Sequence, residues 1–177
     1  MARATLTAVV TQDSSEDLCR THYARVLRLC RLLLADPHEA EETAEEVFLK
    51  LVHAHQAQTP IRSWAAWLTR VAVNACRDRR RSAWWKWGRV PPAQFQAEAL
   101  LDKALTPEEA AIDREAHERL WRAVRALATR QCEVFALHLE GWSHAEAATL
   151  LGITTGSVKR HLFHAVRHLR KALGEHP

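Results

Sequence analysis

The chain has 177 residues, 47% of them hydrophobic and 26% charged, which suits one domain of ordinary size or two small ones and excludes a fibre or a disordered tail. Its formal net charge is +4, from 25 Lys and Arg against 21 Asp and Glu. No run approaches the roughly 18 consecutive apolar residues of a membrane span, and Met1–Ser15 lacks the apolar core of a signal peptide, so no membrane insertion is expected and the protein reads as cytoplasmic.

Five glycines, six prolines and apolar residues at helical spacing predict an all-α fold of two small helical domains joined by a flexible linker. Residues 1–15 are expected to form a flexible N-terminus, and 16–82 a first domain. There Tyr23, Val26, Leu27, Cys30, Leu33 and Leu34 make one apolar face, ended at Asp36-Pro37. Ala40, Val47, Phe48, Leu51 and Val52 make a second stripe, and a loop through His55–Pro60 leads to a third helix with Trp64, Trp67, Leu68, Val71, Ala72 and Ala75 on one face. The helical pattern fails after Arg81, and 83–107, with Trp84, Trp85, Trp87, Gly88 and Pro91-Pro92, reads as the linker.

Residues 108–175 read as the second domain. One helix carries Ile112, Leu120, Val124 and Leu127, and another carries Val134, Phe135 and Leu137 up to Gly141. Ser143 and Glu146 have capping-box spacing at the start of a short helix that Gly152 stops. Thr154 or Thr155 then caps a helix with Val158, Leu162, Ala165, Leu169 and Leu173 facing inward. A short helix, a glycine-containing turn and a basic helix make a helix-turn-helix. On the outer face of its last helix, Lys159, Arg160, Phe163, His164 and Arg167 can meet guanine edges, phosphates and a thymine methyl.

Charge is segregated along this plan. Asp36 to Glu46 holds six acids and no Lys or Arg, Arg77 to Arg89 six basic residues and one acid, and Thr155–Lys171 five basic residues and no acid. Basic patches neutralise phosphates, while an acidic patch meets a basic protein partner and stays off DNA. The arginine run with Trp84, Trp85 and Trp87 behind it suits single-stranded or melting DNA, and it equally suits docking of the linker on a protein surface. Cys19, Cys30, Cys76 and Cys132 form no CxxC pair and read as reduced core thiols.

Three patterns in order, Glu39-Ala-Glu-Glu-Thr-Ala-Glu-Glu-Val-Phe-Leu-Lys-Leu, Trp67-Leu-Thr-Arg-Val-Ala-Val-Asn-Ala, and Val134-Phe-Ala-Leu through Gly156-Ser-Val-Lys-Arg-His-Leu, resemble a bacterial RNA polymerase sigma factor of the extracytoplasmic-function group. The resemblance spans about residues 16–174, with the first domain like sigma region two and the second like region four. It implies an alternative sigma factor whose partners are core polymerase, through a coiled coil of the largest subunit and the flap, promoter DNA, and an anti-sigma factor. It assigns polymerase docking to Glu42, Glu45, Glu46 and Phe48, with Glu45 where many relatives carry glutamine. It assigns the melted minus-ten element to Gln58, Val71, Asn74, Arg77, Arg79 and Arg80. The minus-thirty-five element falls to Ser143, Thr155, Ser157, Lys159, Arg160, Phe163, His164 and Arg167, with His164 where many relatives carry arginine.

Two other readings compete. An autonomous dimeric helix-turn-helix regulator would leave the acidic helix and the Asn74 segment without a purpose. A metal site is suggested by Cys19-x-x-His22, His53-x-His55 and His164-x-x-x-His168, yet two ligands do not close a zinc site. No nucleophile-base pattern, glycine-rich phosphate loop or HExxH stands in the chain, so neither an enzyme nor a cofactor is expected.

Overall fold

The computed structural model describes residues 14–87 and 118–174, with the backbone alone at 83–87. Within them the chain is helical: α1 (Ser15–Leu33), α2 (Pro37–Gln56), α3 (Trp64–Trp87), a helical segment α4 (118–125), α5 (Thr129–Leu139), α6 (His144–Leu151) and α7 (Thr155–Ala172).

Side-chain caps set where the helices start. The Ser14 hydroxyl accepts from the Asp17 amide at 3.1 Å, and Asp36 accepts from the amides of His38 and Glu39 with Pro37 in the first turn. Asp36-Pro37 thus starts α2, after α1 has ended in extended backbone at Leu34. The first three helices pack mutually around Leu29, Cys30, Val47, Leu51, Leu68, Val73 and Cys76, all nearly inaccessible. Two buried threonines are satisfied within their helices, Thr43 donating to the Glu39 carbonyl at 2.6 Å and Thr69 to that of Ala65 at 2.7 Å. The predicted apolar faces are rotated slightly. Leu18 and Leu29 replace Tyr23 in the core of α1, and Val73 and Cys76 join α3, where Trp64, Trp67, Val71 and Ala75 are only half-buried.

The boundary expected at residue 83 moves. Helix α3 continues to Trp87, so five residues assigned to the linker are helical. Loss of apolar periodicity after Arg81 is not loss of helix, since no glycine or proline stands between Arg81 and Gly88 to interrupt the backbone. The rest of the expected linker, the Ile112 turn and the expected N-terminus before Ser14 lie outside the described residues.

In the second half, α5, α6 and α7 pack mutually around Val134, Ala136, Leu137, Leu151, Val158 and Ala165. The expected capping box is present: Ser143 Oγ accepts from the Glu146 amide, and Glu146 Oε2 accepts from the Ser143 amide at 2.9 Å. Gly152 closes α6 at φ 66°, a left-handed turn that favours glycine. Thr154 is the cap of α7, accepting from the Ser157 amide at 3.1 Å.

The two halves are packed together. Helix α5 lies along α1, antiparallel to it: Arg28 reaches Glu140, just past the end of α5, while the Leu32 carbonyl accepts from the Cys132 thiol one turn on at 3.4 Å. It runs antiparallel to α3 as well, with Arg77 on Glu133 and Arg80 on Thr129.

Candidate nucleic-acid interface

Burial of Val158, Ala165 and Leu169 fixes the rotation of α7. The opposite side therefore presents Lys159, Arg160, Phe163, His164 and Arg167, every one exposed. Phe163 is 62% exposed and sits edge-on to His164 at 5.7 Å between ring centres. An aromatic side chain held in water among cations is poorly explained by the fold and well explained by a groove. Thr155 is exposed at the start of α7, whereas the Ser157 hydroxyl is engaged by Thr154 at 3.0 Å. Ser143 is exposed at the start of α6, with its hydroxyl and amide both committed to Glu146. Those bonds favour the charged carboxylate and hold the Glu146 pKa below its ordinary value.

On α2, Glu42, Glu45 and Glu46 are exposed on one acidic surface. Phe48, expected beside them, is only 8% exposed and packs under the Tyr23 ring at 5.5 Å. The apolar side chain that reaches solvent there is Leu49, at 60%. Leu49 and Tyr23 escape a reading by apolar period, because a hydrophobic residue that is not buried looks the same in sequence as one that is.

The expected minus-ten residues divide into three groups. Asn74 is exposed and Val71 half-buried one turn before it. Gln58 is exposed in the loop between α2 and α3, at φ 51°. Beside that loop, Trp64 stands perpendicular to Trp67 at 5.7 Å and tilted against His55 at 6.1 Å, an aromatic cluster absent from the expected site. The side chains of Trp84, Trp85 and Trp87 lie outside the described residues.

The arginines do not gather around Asn74. Arg77 donates to its Oδ1 at 3.3 Å but commits its fork to Glu133, at 2.6 and 2.8 Å. Arg79 turns to α2 and bridges Glu42 and Glu46, each at 2.6 Å. Arg80 donates to the Thr129 hydroxyl at 3.2 Å. The carboxylate bonds raise the pKa of Arg77 and of Arg79 above the already high guanidinium value, so both stay charged. Glu133 is what the sequence reading missed. It stands three and four residues before Ala136 and Leu137 on the buried side of α5, and a carboxylate there requires a cation.

Cys30, Cys76 and Cys132 are buried free thiols and Cys19 a half-buried one. Contact with Cys30 and burial raise the Cys76 pKa, and burial carries Cys132 to about 11. Buried thiols held protonated are poor nucleophiles and poor metal ligands. Among the described residues no group of three or more His, Cys, Asp or Glu converges on a possible metal position, and no helix is long and apolar enough to cross a membrane.

Comparison with known proteins finds two successive family matches, Sigma-70 region 2 over residues 18–86 and Sigma-70, region 4 over residues 117–169. The chain is 34% identical over 182 residues to the ECF RNA polymerase sigma factor SigL of Mycobacterium tuberculosis, covering 99% of this chain and 97% of that protein. It is 26% identical over 174 residues to the ECF RNA polymerase sigma factor SigW of Bacillus subtilis, covering 92% and 90%. Its fold matches the sigma factor RpoE solved in complex with the anti-sigma factor NepR from Bartonella quintana, with TM-score 0.70, 16% identity and coverage of 90% of this chain and 96% of that one. CnrH solved in complex with the cytosolic domain of CnrY gives TM-score 0.65 at 21% identity, covering 95% and 92%.

Proposed function

The chain belongs to the sigma-70 family, in the group named for extracytoplasmic function, and from that premise we propose how its surfaces divide the work of promoter recognition. The observation that carries the proposal is the outer face of α7, where Lys159, Arg160, Phe163, His164 and Arg167 stand free of the domain core. A helix of this polarity, presented by a capped helix-turn-helix, reads duplex DNA at the minus-thirty-five element. Thr155 and Ser157 add short polar groups at its N-terminal end, where backbone amides attract a phosphate.

The acidic side of α2, Glu42, Glu45 and Glu46, docks on core polymerase, with Leu49 adding the apolar part of that contact. At the minus-ten element, Asn74 both donates to and accepts from an unstacked base edge, next to Val71 and the loop bearing Gln58. Trapping a base that has left the stack favours the melted promoter, while catalysis belongs to polymerase. Two weak readers fixed at a set spacing by polymerase give joint affinity that neither has alone. The solved relatives bound to NepR and CnrY support control by an anti-sigma factor, which on this chain covers the same surfaces.

The test is transcription by purified bacterial core polymerase on a randomised promoter library, with transcript starts read by sequencing. Starts that need the protein and share two spaced elements are the expected result. Active polymerase that gives no protein-dependent start would overturn the proposal.

A further inference from the structure

The acids of α2 are not equally free. Glu41 receives Arg31 of α1 at 2.9 Å, and Glu42 and Glu46 share Arg79 of α3, whose two terminal nitrogens reach them at 2.6 Å each. Among the described residues Glu45 makes no ion pair.

Glu42 and Glu46 stand one turn apart on the same side of α2, where two like charges repel. The Arg79 fork joins one oxygen of each, Oε2 of Glu42 and Oε1 of Glu46, so it offsets that repulsion and orders both side chains. Both acids stay open to solvent, at 65% and 51%, while the Arg79 side chain between the helices is 22% exposed. Each acid thus keeps its other oxygen for a partner arriving from solvent.

The geometry of α3 sets Arg79 apart from Asn74. At about 100° per residue, position 79 lies about 140° round the helix from position 74, and its guanidinium is spent on α2. Arg77 lies about 60° from Asn74 by the same measure and donates to it at 3.3 Å.

We propose that Arg79 is a positioning residue for the polymerase contact and not a minus-ten contact: it holds Glu42 and Glu46 outward in the geometry in which they meet a basic surface of core polymerase. The inference rests on the docking role given to α2 above and deepens it. Two rotamer-rich side chains held in place beforehand spare the encounter the cost of ordering them. Helix α3 then works on two sides, Asn74 toward DNA and Arg79 toward polymerase.

Two measurements separate the roles. Bio-layer interferometry of the full chain on immobilised, purified core polymerase at fixed salt reads docking. The transcript plateau at saturating protein, on a promoter recovered from the library, reads what the assembled holoenzyme does with DNA. Both are run well below the thermal midpoint of the least stable variant, so that loss of fold does not enter.

Arg79→Gln is expected to weaken polymerase affinity about tenfold and to raise the half-saturating protein concentration to match, with the plateau within about twofold of wild type. Arg79→Lys keeps the charge but lacks the planar fork, so a loss of about threefold or more should persist. Glu42→Gln/Glu46→Gln should itself weaken binding, and adding Arg79→Gln to it should cost less than about twofold more, because Arg79 acts through those two acids.

Unchanged affinity with a lowered plateau would assign Arg79 to DNA and overturn the proposal. Full rescue by lysine would make net charge the cause and overturn positioning. So would a tenfold loss that persists in the double-glutamine background, or double-glutamine binding as tight as wild type. A wild type that fails to bind core polymerase overturns the docking role of α2 itself. A wild type that binds, with Arg79→Gln binding equally well, overturns this inference alone.

Discussion

Phe163 is the residue whose two possible roles separate most cleanly. At 62% exposure it contributes little to the core, so Phe163→Ala is expected to change unfolding free energy by no more than about 0.5 kcal/mol. In a duplex-binding assay with a promoter taken from the transcription library, the same change is expected to cost about 1–3 kcal/mol, the worth of one good base contact. Equal affinity for the two proteins would remove Phe163 from the interface. Cys132 answers to pH instead. Its folded pKa of about 11 against an ordinary value of 9.0 means that folding favours the neutral thiol. That contribution is complete below pH 9 and is lost as pH rises through about 11. The thermal midpoint of wild type should therefore fall more steeply over that interval than that of Cys132→Ala, by calorimetry in matched buffers.

At the scale of the element, local chemistry was legible wherever a helix boundary is written in side chains. Ser143 with Glu146, Gly152 and Thr154 each do in the fold what their spacing announces, while Asp36-Pro37, read as a stop, is the start of the next helix. Removing the hydroxyl at Ser143 by substitution with Ala should cost about 1 kcal/mol, and any loss of DNA binding would follow the loss of α6 stability. Glu146 gives the same cap a pH signature. Its depressed pKa stabilises the fold above the ordinary carboxylate range and ceases to as pH falls through the folded value. The thermal midpoints of wild type and Glu146→Ala should converge in acid. The end of α3 was not legible, because apolar spacing stops after Arg81 whereas the helix runs on to Trp87, with no glycine or proline before Gly88 to end it. The partners of Arg77, Arg79 and Arg80 were equally hidden, since they lie on α5 and α2. Phe48 was legible as part of the buried stripe of α2 from its spacing, whereas the Tyr23 ring packed over it depends on a contact between helices that no local spacing records.

Across the whole molecule, composition and charge order anticipated two helical units and the exposed basic face of α7, but not that Arg77 and Arg79 of the other basic run would be paired with acids. They did not anticipate that the units would close on each other, because that contact depends on residues about 50 to 110 positions apart, such as Arg77 with Glu133 and Arg28 with Glu140. Such pairs leave no mark on local spacing. Closure should make unfolding of the free protein a single cooperative transition, and Glu133→Gln/Glu140→Gln should split it into two. Differential scanning calorimetry distinguishes the cases. Truncating Leu51, wholly buried at the centre of the first unit, to alanine should cost about 2–5 kcal/mol. In the split variant only the first-unit transition should shift.

The antiparallel seat of α5 against α1 and α3 also bears on how the protein could be taken apart. Among the described residues the side-chain bonds between the halves are arginine to carboxylate, arginine to hydroxyl at Thr129 and the Cys132 thiol to the Leu32 carbonyl, so the surfaces left by severing the chain carry charged groups beside the apolar residues of the shared core. Two polypeptides divided between α3 and α4 should therefore find each other in solution as complementing fragments. Their affinity should weaken as sodium chloride is raised, the reverse of what an oily seam would show.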